Sequence, residues 1–141
     1  MRSGQMLASG LGGALAVCAA LVAACGDSGQ ETRGPDAPVS QVLRLSVVTA
    51  PGVVEFDRTR LNARAGRIAF ELTNGKLRGH NIRIHTGDRC CFPPGSKDIG
   101  GTRTISTGRT RAVLDLPPGT YTYLCSAGGH WRTQHGTLVV R

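Results

Sequence analysis

Aromatic residues are scarce in this chain: one Trp, two Tyr and three Phe make up 4% of 141 residues. The core must therefore be built from Val, Ile and Leu. Methionine is scarcer still, and both copies, Met1 and Met6, precede the first apolar run, so the rest of the chain has no thioether. Lysine is almost missing, because 15 of the 17 basic residues are Arg. These arginines are scattered singly with no basic run, which argues against nucleic-acid binding. The net charge of +8 still favours acidic partners or anionic lipid. No apolar run reaches the roughly 20 residues that a membrane helix needs. Hydrolytic motifs of the G-x-S-x-G, H-E-x-x-H and paired-carboxylate kinds are absent as well. At 141 residues the chain has room for one domain on the usual scale of roughly 100–200, which excludes a two-domain enzyme.

What is present begins with a targeting signal. Arg2 is followed by the apolar run Leu11 to Ala24, which ends in Leu21-Val22-Ala23-Ala24-Cys25. This ending resembles a bacterial lipoprotein signal, in which an aliphatic and two small residues precede the Cys that receives lipid. Residues 1–24 are thus expected to be a signal peptide and Cys25 the lipidated residue, whereas Cys18 follows the bulky Val17 and fits less well. Residues 25–40 are polar, Gly- and Pro-bearing and without periodicity, as a flexible tether is. The folded domain is expected over 41–141, exported and lipid-anchored to the outward face of a bacterial cell membrane.

The 20 Gly, 7 Pro and low charge suit a turn-rich β protein. Val42 to Val48, Arg67 to Leu72, Arg111 to Leu116, Thr120 to Cys125 and Gly136 to Arg141 carry strand patterns. Val53 to Phe56, Leu61 to Ala65, His80 to His85 and Arg103 to Ser106 add shorter ones. Pro118 and Gly119 suit the central positions of a type II turn. About seven to eight strands are expected to form, at the spacing of a sandwich or barrel. Thr86 to Gly101, rich in Gly and Pro, reads as an insertion loop.

Of five cysteines, Cys18 and Cys25 are used by the leader and the anchor, leaving Cys90, Cys91 and Cys125 in an oxidising setting. Cys90 and Cys91 are adjacent; a vicinal disulfide, a bond to another chain and two free thiols all remain open. Cys125 is then unpaired, and a metal would account for its survival. In His80 to His85, a period of two turns His80 inward with Ile82 and Ile84 while Asn81, Arg83 and His85 face out. Cys125 is in phase with Tyr121 and Tyr123, and His130 returns after a four-residue loop. Taken singly, His80 is a satisfied core histidine and Cys125 a buried hydrophobe. Together, one thiolate and two imidazoles with a weak axial group make a blue-copper electron-transfer site.

GHNIRIH, followed some forty residues later by PPGTYTYLCSAGGHWRTQHGTLVV, resembles the cupredoxin family, and azurin- and plastocyanin-like members most closely. The resemblance spans about Val42 to Arg141 and is strong only at these two segments. It implies a Greek-key β-sandwich holding one type 1 copper ion, with His80, Cys125 and His130 as equatorial ligands. It also implies that Asn81 ties the two ligand segments together and that the Gly79 carbonyl approaches the metal. The family's axial Met is missing. The azurin-like register places Gln134 there, whereas the plastocyanin-like register points to His135 at the cost of a deletion. We favour Gln134, with His135 pointing to solvent. An amide oxygen favours Cu(II) and lowers the potential relative to Met.

Leu124 and Ser126 flank Cys125, so a multicopper-oxidase cluster is excluded, and one Cys in the loop excludes a dinuclear centre. With its positions filled by protein, the site is expected to pass an electron rather than act as an enzyme. Expected partners are redox proteins, acidic ones included, met by a monomer through the edge of His130. Trp131 either enlarges that apolar patch or packs against the loop. The competing readings are a copper store or delivery protein and a metal-free binding module.

Overall fold

The computed structural model describes residues 38–76 and 78–141. The leader, the Cys25 anchor and most of the tether lie outside these residues. Among the described residues, nine strands run in the order β1 (Gln41–Ala50), β2 (Val53–Phe56), β3 (Arg60–Ala63), β4 (Gly66–Asn74), β5 (Arg83–Thr86), β6 (Asp98–Gly101), β7 (Gly108–Leu116), β8 (Gly119–Leu124) and β9 (His135–Val140). They form two sheets, β2-β1-β4-β7 and β3-β9-β8-β5-β6. Both sheets are mixed: β1 pairs with β4, and β3 with β9, in parallel, and the other pairings are antiparallel.

Alternation decides which side chains meet between the sheets. Ile68, Phe70 and Leu72 of β4 are fully buried, with Leu45 and Val47 beside them, against Leu61, Ile84, Tyr123, Leu138 and Val140 of the other sheet. Each such aliphatic or Phe side chain contributes about 1.5–3 kcal/mol by leaving water. On the opposite face of β4, Glu71 lies between Arg44 at 3.0 Å and Arg111 at 3.8 Å, so isolated arginines are carried on a solvated sheet surface. Such exposed pairs add little stability.

Tyr123 anchors the end of the sandwich near the candidate site. Its hydroxyl donates to the Arg58 carbonyl at 2.6 Å, and its ring lies 5.7 Å from that of Phe56. Gly136, the first residue of the Gly-Thr-Leu run, lets β9 approach this ring. A Cβ there would run into the Tyr123 hydroxyl and come within 2.6 Å of the Thr59 carbonyl oxygen.

Four local expectations are corrected. The stretch His80 to His85 is a strand only from Arg83, and His80 is held instead by an isolated antiparallel bridge to Ile105, with backbone bonds of 3.0 Å in both directions. Of Arg103 to Ser106, only Ile105 takes part in β pairing. Thr86 to Gly101 is not all loop, since its end forms the edge strand β6. Gly119 opens β8 without the positive φ that a type II turn requires of it, because the ladder to Val140 holds it extended.

Asn81 and His85, expected to face out, are 5% and 6% exposed. Asn81 precedes β5 and so escapes its alternation. His85 is covered by the loop between β5 and β6: Phe92 meets the His85 ring edge-on at 5.3 Å, and the Ser96 hydroxyl lies 3.5 Å from Nδ1. Among the described residues, no helix is long and apolar enough to cross a membrane.

Candidate metal centre

Three segments meet at one end of the sandwich: the bridge residue His80, Cys125 just beyond β8, and the loop from Ser126 to Gln134 that leads into β9. The loop is two short 3-10 turns separated by a kink, where Gly128 (φ 55°) and Gly129 (φ 76°) adopt left-handed backbone. Glycine takes this conformation without a Cβ clash, which lets the chain turn back within four residues. His130 is thereby returned towards Cys125.

Cys125, His80 and Gln134 are fully buried, and His130 is half-buried. Cys125 Sγ lies 3.8 Å from Nδ1 of His80 and 3.8 Å from Nδ1 of His130. The two imidazoles stack with centroids 4.6 Å apart. Gln134 directs Oε1 to within 2.9 Å of His80 Nδ1. One sulfur, two imidazole nitrogens and an amide oxygen thus face a common point, and no carboxylate belongs to the group.

The loop is closed by its own backbone. Cys125 N–H donates to Gln134 C=O at 3.0 Å, and Gln134 N–H donates to His130 C=O at 2.8 Å. Asn81 fastens it to the His80 segment: its Oδ1 accepts from Ser126 N–H at 2.9 Å, and its Nδ2 donates to the Ser126 and Thr104 hydroxyls, each at 2.9 Å. Gly79 lies against the Thr104 methyl, which a Cβ would meet at 3.0 Å. Thr104 escaped sequence reasoning because its segment carries a strand pattern, and nothing local marks its hydroxyl as a partner for Asn81.

The environment is tuned towards uncharged free ligands. Burial lowers the His80 pKa from 6.5, with the neighbouring His130 and Arg78 acting in the same sense and the Gln134 hydrogen bond opposing them. Burial also pushes the Cys125 thiol above 9.0, although hydrogen bonds from backbone N–H groups at Asn81 and Ala127 favour the thiolate. Cys125 is free, while His80 Nε2 and Gln134 Nε2 are buried without a partner. A buried group of one thiol and two imidazoles, soft and borderline donors, fits a thiophilic transition-metal ion. It does not suit a hard, oxygen-seeking cation.

His135 does not join this group. Its side chain turns to the outer side of the loop, where Nδ1 bonds the Trp131 carbonyl at 2.8 Å. The expectation that it points to solvent is also corrected, since it is half-buried beside Cys90 and Cys91, which are joined as a disulfide. Trp131 packs rather than standing free, meeting Phe92 edge-on at 5.7 Å and carrying the Arg132 guanidinium 4.7 Å above its ring.

Comparison with known proteins places this geometry in context. No family model and no curated protein matches the sequence. Solved structures do match. Auracyanin A, a "blue" copper protein from Chloroflexus aurantiacus, is 19% identical with a TM-score of 0.56, covering 71% of this chain and 98% of its own. The chain has the cupredoxin fold. Auracyanin B is 21% identical (TM-score 0.59), covering 74% of this chain and 91% of its own. An azurin, Az-iso2 of Methylomonas sp. strain J, is 18% identical (TM-score 0.56) over 73% of this chain and 99% of its own. At these identities the likeness is one of fold.

Proposed function

We propose that this cupredoxin-fold chain is a type 1 copper electron-transfer protein, with His80, Cys125 and His130 as equatorial ligands and Gln134 as the axial one. The observation that carries the reading is the 3.8 Å approach of Cys125 Sγ to Nδ1 of both histidines inside a buried pocket. The auracyanin A match, described as a "blue" copper protein, supports the same ion. Copper supplies a one-electron Cu(II)/Cu(I) couple when bound.

The protein's part is to hold the donors in place before and after the electron moves. Asn81 and the loop's backbone bonds fix Cys125 and Gln134, so neither needs to be recruited on binding. Burial excludes water from the sulfur. Gln134 offers oxygen where a thioether would be softer, which favours the oxidised ion. His130, half-buried while His80 is enclosed, gives the shortest route to the surface. Its neighbour Trp131 packs edge-on against Phe92.

In this reading the partners are redox proteins, and the net charge of +8 favours acidic ones. The protein acts as a monomer held outside the cytoplasm by lipid on Cys25, with 25–40 as tether and 41–141 as the working domain. Addition of Cu(II) should produce an intense thiolate-to-copper absorption that disappears reversibly on reduction; a colourless Cu(II) complex would refute the type 1 assignment. The anchor is tested separately. Cys25→Ala should move the protein from the membrane to the soluble fraction, and an unchanged membrane fraction would refute lipidation.

A further inference from the structure

The second cluster of metal-ligating side chains lies outside the same loop. Cys90 Sγ and Cys91 Sγ approach the Trp131 carbonyl oxygen at 3.7 and 3.4 Å, and His135 Nδ1 bonds that same oxygen at 2.8 Å. The two sulfurs and a ring nitrogen of His135 all lie within 4.8 Å of one another. They line a surface hollow together with Trp131 and Arg132. All three are half-buried or exposed, so small molecules can reach them, unlike Cys125. A carbonyl oxygen only accepts, so His135 Nδ1 carries the proton and Nε2 keeps its lone pair. Metal-binding histidines are oriented by this kind of support.

We propose that Cys90, Cys91 and His135 form a second, surface site that takes Cu(I) when the cysteine pair is reduced. An external small-molecule thiol supplies the two electrons: two R–SH break the Cys90–Cys91 bond, giving two cysteine thiols and one R–S–S–R. Cu(I) then displaces both thiol protons to solvent and is held by two thiolates and one imidazole. Thiolate pairs select soft ions of this class. The bound centre carries one net negative charge, which the Arg132 guanidinium over Trp131 offsets. The site does not rest on the copper reading of the inner centre, since it shares no ligand with it.

The test is anaerobic Cu(I) titration of the full chain against a colorimetric Cu(I) chelator, before and after reduction of the disulfide. Reduction should add one equivalent of Cu(I), and Cys90→Ser/Cys91→Ser should abolish that gain. His135→Ala should weaken the added equivalent by at least the roughly 10- to 100-fold that losing a supporting group costs a metal site. The same gain should persist in Cys125→Ser, where the inner centre is disabled. If the inner centre takes no copper, the Cys90/Cys91-dependent equivalent is still counted, so the two readings fail separately. Equal uptake by oxidised and reduced protein, or a gain that survives Cys90→Ser/Cys91→Ser, would overturn the proposal.

Discussion

The inner and outer faces of the loop from Cys125 to His135 use the same side-chain types in opposite ways. Inside, Cys125, His80 and Gln134 are fully buried and are held by Asn81 and by backbone bonds within the loop. Outside, Cys90, Cys91 and His135 lie near the surface around the Trp131 carbonyl, which accepts a hydrogen bond from His135 and has both sulfurs within 3.7 Å. Among the described residues the inner thiol has no second sulfur beside it, so no disulfide takes it from the site. The outer pair is linked and reachable, and its ligand capacity follows the thiol balance of its surroundings. Burial and support, rather than residue type, separate a fixed centre from a conditional one.

The largest expected effect breaks one side of this contrast. Cys125→Ser should abolish the charge-transfer colour entirely, because oxygen cannot replace the thiolate in that transition. Absorption spectroscopy after Cu(II) addition checks it, and any surviving blue colour would move the chromophore elsewhere. Asn81→Ala should destabilise the metal-free protein by about 1–3 kcal/mol in denaturant unfolding, since it leaves Ser126 N–H without its partner. Gln134→Met should keep the colour and raise the reduction potential, because a thioether stabilises Cu(I) better than an amide oxygen. Protein-film or solution voltammetry reads this shift.

The metal-free protein should also show a bell-shaped dependence of Tm on pH. Burial keeps His80 below 6.5, so the unfolded chain takes up a proton that the folded state resists. Stability from this group is complete above 6.5 and is lost as pH falls below it. Burial raises the Cys125 thiol above 9.0, so its contribution is present below 9.0 and is lost as pH rises further. Cys125→Ser should flatten part of the alkaline limb, with buried Tyr121 and Tyr123, whose phenols are also raised, supplying the rest. The smallest effect is expected from His135→Ala, which should leave the blue spectrum and potential unchanged. A spectral shift there would put His135 on the inner face and restore the register rejected here.

The sandwich and the Cys125–His130 pair were legible because they rest on local rules. Alternation marked most strands, and the short interval from Cys125 to His130 constrained the loop. Non-local structure was not legible in the same way. His80 is turned inward by a bridge to Ile105 rather than by strand alternation, and Asn81 is buried by hydrogen bonds to Thr104 and Ser126. His85 faces the solvent side of its strand and is nevertheless covered, because the Cys90-Cys91 loop folds over it. That fold-back also converts His135 from a solvent-facing residue into a neighbour of the cysteine pair. Nothing in a period of two reports what a distant loop will cover.

The most direct test of the central claim is a Cu(II) titration of the full chain followed in the visible range. The account predicts an intense thiolate-to-copper band that saturates at one equivalent, is bleached by reductant and is missing from Cys125→Ser. A weak d–d spectrum alone, or an intense band that survives in Cys125→Ser, would contradict it.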